Sequence, residues 1–228
     1  FPQRKPKGTN TMKYKGVIFD MDGTLLDSMG TWESIDRTFF AKRGMEMPQD
    51  FGIIAASMGM EQTAHYAVEH YLPHESPQAI IAEWMEMSLH AYEHDLKLKE
   101  GALPFLKYLK ERGVKIGLAT ASPMACAVAA LQNNGILSYF DALSAAGETK
   151  RTKGYPDLYL LTAGKLSLRV DQCLVAEDLL RAVEGAVEGG FDVVAVHDRE
   201  SAAHEAEIVK LARAYVYRLD ELCKTDWF

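Results

Sequence analysis

The chain has 228 residues, 48% of them hydrophobic and 25% charged. That is ordinary globular composition; it excludes a disordered, collagen-like or coiled-coil chain and suits one domain carrying a smaller inserted one. A net charge of −7, with no basic cluster beyond the amino end, argues against a nucleic-acid partner. The cysteines, Cys126, Cys173 and Cys223, form no CxxC or Cys/His pattern, so neither a disulfide framework nor a zinc site is indicated and a cytoplasmic setting is expected.

In chain order, residues 1–11 lack the apolar stretch of a secretory signal and are expected to be a flexible lead. Gly16 to Phe19 is the first apolar run of strand length. From 29 to 98 the periodicity is helical, with Pro48, Gly59, Pro73 and Pro77 dividing the stretch into roughly four short helices. Alternation follows: helix 103–112, strand 114–119, helix 124–134, strand 142–143, helix 156–165, strand 173–175, helix 180–189, strand 193–196, helix 200–214 and a last strand at 215–217. The uncharged stretch 116–140 is interrupted by Pro123 and Gln132-Asn133-Asn134-Gly135, so it is strand, loop and helix rather than a membrane span. Continuously apolar strands need helices on both faces of a parallel sheet. The expected fold is therefore α/β, a doubly wound, Rossmann-like core of residues 12–28 and 99–228 with a helical cap of residues 29–98 inserted after the first strand.

Charge sets the insert apart. Its basic residues are Arg37, Lys42, Arg43 and Lys97, against eleven acidic ones, so it holds the whole net charge of −7. A well-solvated helical surface accounts for this, and such an insert offers little to a second anionic group of a substrate.

Chemistry concentrates where the first strand opens into Asp20-Met21-Asp22-Gly23-Thr24. Ligands of open α/β sheets bind outside the carboxyl ends of strands. Two carboxylates so close repel unless a cation or a shared proton compensates, and an oxygen-only pair favours Mg²⁺. The plain alternative is an Asp-Gly turn serving its own backbone; a strand that delivers both carboxylates argues against it.

These residues match the Asp-x-Asp-Gly-Thr pattern of the haloacid dehalogenase superfamily, which the chain resembles from about Met12 onward. Three further signals follow in the family's order: Thr120 closing the strand at 114–119, Lys153 shortly before Pro156-Asp157, and Glu177-Asp178 after the strand at 173–175. The resemblance, closest to β-phosphoglucomutase-like members with a C1-type cap, implies roles for each. Asp20 would be the nucleophile that becomes an aspartyl-phosphate, and Asp22 the acid and base. Mg²⁺ would be held by Asp20, the Asp22 carbonyl and Asp178, with Glu177 orienting the shell. Gly23, Thr24, Thr120, Ala121 and Lys153 would surround the phosphoryl oxygens. The implied function is Mg²⁺-dependent hydrolysis of phosphate monoesters of small metabolites, by a monomer or weak homo-oligomer with no membrane partner. The alternatives are a sugar phosphomutase and a catalytically idle relative that binds a phosphorylated ligand or a protein.

Departures bear on the substrate. Gly154 stands where the family has Pro, which is expected to loosen the Lys153 loop, and Leu179 replaces a common hydroxyl residue after the acidic pair. Trp32 falls near the position of a mutase His, and Gly59 is followed by Met60-Glu61-Gln62 rather than Arg. A mutase needs a second anion site in the cap, so the acidic insert favours the hydrolase. The pairs His70/His74 and His90/His94 have helical zinc-ligand spacing but lack a third ligand nearby and are expected to be solvated or partly packed.

Overall fold

The computed structural model describes residues 12–28, 30–58 and 60–228. The lead at 1–11, the boundary residue Met29 and the dividing Gly59 lie outside the described residues.

The elements run β1 (Gly16–Phe19), β2 (Leu26–Asp27), α1 (Thr31–Ala41), α2 (Phe51–Ser57), α3 (Met60–His70), α4 (Pro77–His94), β3 (Lys97–Leu98), α5 (Ala102–Glu111), β4 (Lys115–Ala119), α6 (Met124–Asn133), β5 (Ala142–Ser144), α7 (Asp157–Lys165), β6 (Cys173–Glu177), α8 (Leu180–Glu188), β7 (Asp192–Val196), α9 (Glu205–Leu211) and β8 (Ala214–Val216). Six strands form one sheet in the order β5-β4-β1-β6-β7-β8, every pairing parallel. β1 is central because both of its faces are dry: Val17 and Phe19 enter the core shared with α5 and α6, while Ile18 enters the one shared with α7, α8 and α9.

The register does the assembling. Phe19 pairs with Leu118 on β4 and Ala176 on β6, and the Asp20 N–H donates to Ala176 O at 2.9 Å. The residues that leave β1, β4 and β6 thus emerge side by side, at the point where the chain's connections diverge to opposite sides of the sheet.

The helices of the insert share a core of their own, in which Phe39, Phe40 and Phe51 are fully buried and Ile35 and Trp84 nearly so. Each buried aromatic of this kind contributes roughly 2 kcal/mol. α4 is longer than the short helix expected, running 18 residues. Ser76 caps it by accepting from the Ala79 N–H, and Pro77 stands in its first turn, where a missing N–H costs nothing.

Two further differences have physical causes. β2 and β3 pair antiparallel, Leu26 with Leu98 and Asp27 with Lys97, tying together the two chain connections of the insert. Two-residue strands carry no periodicity and cannot be read from sequence. The helix expected at 200–214 is a single 3₁₀ turn at Ala202–His204 followed by α9, and β8 begins at Ala214. Ile208 is the one buried residue of α9, so little packing is available to extend that helix. Among the described residues no helix is long and apolar enough to cross a membrane.

Candidate active site

Every motif residue but Lys153 is placed by a strand end. Asp20, Thr120, Glu177 and Asp178 are buried beside one another at the tips of β1, β4 and β6, and Lys153, also buried, comes from the loop before α7. Lys153 Nζ donates to Asp20 Oδ1 at 2.5 Å and also ion-pairs with Glu177. Thr24 Oγ1 donates to Asp178 Oδ1 at 3.1 Å. Gly23 has φ +79°, and a Cβ there would lie 2.3 Å from Asp178 Oδ2, so glycine is required both by conformation and by space.

Ligand oxygens of Asp20, Glu177 and Asp178 all lie within 4.8 Å of one another. Burial is the largest cause pushing the Asp20 carboxyl up to about 7; Lys153 opposes it, and the charges of Glu177 and Asp22 add to it. Asp178 is raised well above the usual carboxylate range by burial first, then by Asp20 and Glu177. Burial alone would lower Lys153, but Asp20 and Glu177 outweigh it and hold the ammonium above its usual value. Three buried carboxylates beside one ammonium form a site short of positive charge, and hard oxygen donors at these separations suit a small divalent cation. The cluster therefore fits a metal ion.

The oxygens differ in what they have free. Glu177 Oε1 accepts from Lys153 and from the Tyr159 hydroxyl, the latter at 2.7 Å. Its Oε2 accepts from the Asp178 N–H at 3.0 Å and the Leu179 N–H at 3.4 Å. Glu177 is thus largely saturated and orients its neighbours. Asp20 Oδ2 and Asp178 Oδ2 accept nothing from the described residues.

Asp22 is turned away from the cluster. Tyr92, from α4 of the insert, donates to its Oδ1 at 2.8 Å, and Ser122 donates to its Oδ2 at 2.9 Å. Burial raises the Asp22 carboxyl, and the hydroxyls of Tyr92, Ser122 and Ser28 oppose the rise. Thr120 Oγ1 accepts from the Ser122 N–H at 3.0 Å and keeps its own proton for another acceptor. The N–H groups of Met21, Asp22, Thr24 and Ala121 have no acceptor among the described residues, so the loops after β1 and β4 present free donors beside Asp20.

Sequence reasoning missed Tyr92, Ser122 and Tyr159. Ser122 had a local signal, two residues after Thr120; Tyr159 lies one turn into α7 from the Lys153 loop; Tyr92, 70 residues from Asp22, had none. The loop holding Lys153 lacks its Pro but is packed closely: a Cβ on Gly185 of α8 would lie 2.5 Å from Lys153 O, so helix and loop meet backbone to backbone. The histidine pairs stay outside the site. His70 stacks on Tyr66 with ring centroids 4.0 Å apart, and His90 and His94 are exposed.

A protein-family model described as haloacid dehalogenase-like hydrolase matches residues 14–190. The fructose-1-phosphate phosphatase YqaB of Escherichia coli (strain K12) is 31% identical over 188 residues, spanning 81% of this chain and 97% of that protein. Hexitol phosphatase A of the same organism is 28% identical over 188 residues, spanning 82% of this chain and 84% of that protein. In fold, a β-phosphoglucomutase structure from Clostridium difficile superposes with a TM-score of 0.72 at 21% identity, covering 92% of this chain and 93% of that one. With its four motifs meeting at three adjacent strand ends, the chain belongs to the haloacid dehalogenase-like hydrolases and is a phosphoric monoester hydrolase.

Proposed function

We propose that the protein hydrolyses the phosphate monoester of a small sugar or polyol, with Mg²⁺ at the Asp20, Asp22 and Asp178 end of the site and an aspartyl-phosphate on Asp20. The observation that carries this reading is the buried group of Asp20, Glu177, Asp178 and Lys153, which pairs an uncommitted carboxylate oxygen with a cation-seeking cluster. The phosphatases of fructose 1-phosphate and hexitol phosphates among the relatives support the substrate class.

Asp20 attacks phosphorus in line, the P–O bond to the leaving group breaks, and Asp22 gives its proton to the departing alkoxide. Water then attacks the aspartyl-phosphate, Asp22 takes its proton, and phosphate leaves with Asp20 restored. Asp20, Asp178 and the Asp22 carbonyl would hold Mg²⁺, which would neutralise charge on the phosphoryl oxygens. Lys153, the Thr120 hydroxyl and the free amides of Met21, Asp22, Thr24 and Ala121 bind those oxygens, with Gly23 giving the loop its turn. The helical insert lies over this end of the sheet through Tyr92 and limits water at the site.

Hydrolysis is favoured over the mutase reaction by the insert's own cations. Arg37 pairs with Glu33, Lys42 with Glu83, Arg43 with Glu75 and Glu83, and Lys97 donates to His94 O. All four basic residues of the insert thus have partners within it, which leaves little positive charge there for a second phosphate. Three free cysteines, two of them buried, suit a reducing, cytoplasmic setting.

The test is release of inorganic phosphate from a panel of sugar, polyol and nucleoside monophosphates, with Mg²⁺ and with chelator, using wild type beside Asp20→Asn. Release that needs both Mg²⁺ and Asp20 supports the reading. Isomerisation of a sugar phosphate without release would replace it by the mutase.

A further inference from the structure

Lys99 follows β3 on the return path from the insert, and the hydrolysis above makes no use of it. Its side chain is 17% exposed, and its ammonium donates to Gly23 O at 2.6 Å, His197 O at 2.7 Å and Asp198 Oδ2 at 2.8 Å. Three donors meet three acceptors, so the group is saturated and has nothing left for a substrate anion. The Lys99 backbone N–H also donates to Leu25 O at 2.8 Å. One residue therefore grips the nucleophile loop at two carbonyls, on either side of Thr24. Its anchor is firm: Asp198 is 3% exposed, and its Oδ1 accepts from the Glu200 N–H at 3.1 Å.

The C=O and N–H of one planar trans peptide point in opposite directions. Holding the Gly23 carbonyl on Lys99 thus turns the Thr24 N–H away from Lys99. That N–H is one of the free donors, and the Thr24 hydroxyl donates to Asp178. Lys99 thereby sets the orientation of a free amide, and of the residue that contacts a metal-cluster carboxylate, without touching either.

We propose that Lys99 is a positioning residue for phosphoryl transfer, tying the return strand of the insert to the nucleophile loop through the carbonyls of Gly23 and Leu25. The proposal rests on the phosphatase reading. Its rival is a purely electrostatic role, in which Lys99 serves only to neutralise the buried charge of Asp198.

The experiment compares hydrolysis of p-nitrophenyl phosphate by wild type, Lys99→Met, Lys99→Arg and the double variant Lys99→Met/Asp198→Asn, with the melting temperature of each. Positioning predicts that Lys99→Met and the double variant both lose about tenfold or more in kcat while KM stays within about threefold, and that Lys99→Arg recovers part of the loss. Lys99→Met turning over like wild type, or the double variant regaining wild-type kcat, would overturn the proposal. If Lys99→Met does not fold, the double variant, which leaves no unpaired buried charge, decides alone. A wild type that releases no phosphate from any ester would defeat the phosphatase reading and this proposal together; an active wild type beside unaffected variants would defeat this proposal only.

Discussion

Gly23 and Asp178 are in such close contact that a Cβ on residue 23 would stand 2.3 Å from Asp178 Oδ2 and 2.8 Å from its Cγ. The loop after β1 and the tip of β6 therefore close on each other with no room for a side chain, and φ +79° at Gly23 adds its own restriction. Gly23→Ala is expected to displace the Asp178 carboxylate, lowering kcat by about a hundredfold and stability by about 1–3 kcal/mol. Phosphate release and thermal melting of the variant check this; a fully active Gly23→Ala would mean that the loop has a second acceptable conformation.

Asp178 contributes a buried carboxylate whose Oδ2 is uncommitted, and Glu177 does not. Asp178→Asn should therefore raise the Mg²⁺ concentration for half-maximal activity by about tenfold or more. Titrating activity against Mg²⁺ reads this directly, and unchanged metal dependence would move the metal away from Asp178.

Tyr92 reaches from the insert to Asp22, and Tyr92→Phe removes a hydroxyl donor from the proposed acid and base. A hydrogen bond to a charged group contributes about 1.5–3 kcal/mol. The loss should appear where a poor leaving group needs its proton. The expected outcome is a fall of about tenfold in kcat on a polyol phosphate and a smaller one on p-nitrophenyl phosphate, whose leaving group departs without protonation. Equal losses on both substrates would assign Tyr92 to packing.

Asp36 on α1 is 8% exposed, and its side chain has neither a hydrogen bond nor an ion pair among the described residues. Burial pushes its carboxyl from 3.8 up to about 6. A carboxyl whose folded pKa lies above its unfolded value favours the folded state at low pH, and that contribution is lost as pH rises through about 6. Asp36→Asn should accordingly melt higher than wild type at pH 8, by about 1–3 kcal/mol of stability, and lose that advantage near pH 4. Melting curves at both pH values test it; a gain independent of pH would show that the charge of Asp36 is not its cause.

Much of this protein was legible in the sequence, for local reasons. Apolar runs such as Val17-Ile18-Phe19 imply a strand dry on both faces, and Gly113 and Gly135 mark where α5 and α6 stop. The Asp20 to Thr24 motif stood out as two carboxylates where a strand opens into a turn, and Thr120, Lys153 and Glu177-Asp178 stood out through their order in the family resemblance. Only the tertiary structure decided the rest. The register of β1 between β4 and β6 brings those motifs within hydrogen-bond reach. The β2–β3 pair, the reach of Tyr92 to Asp22 and the grip of Lys99 on Gly23 join residues about seventy or more positions apart. Such contacts, backbone and side chain alike, are created by tertiary packing, and neither hydrophobic periodicity nor motif spacing encodes them.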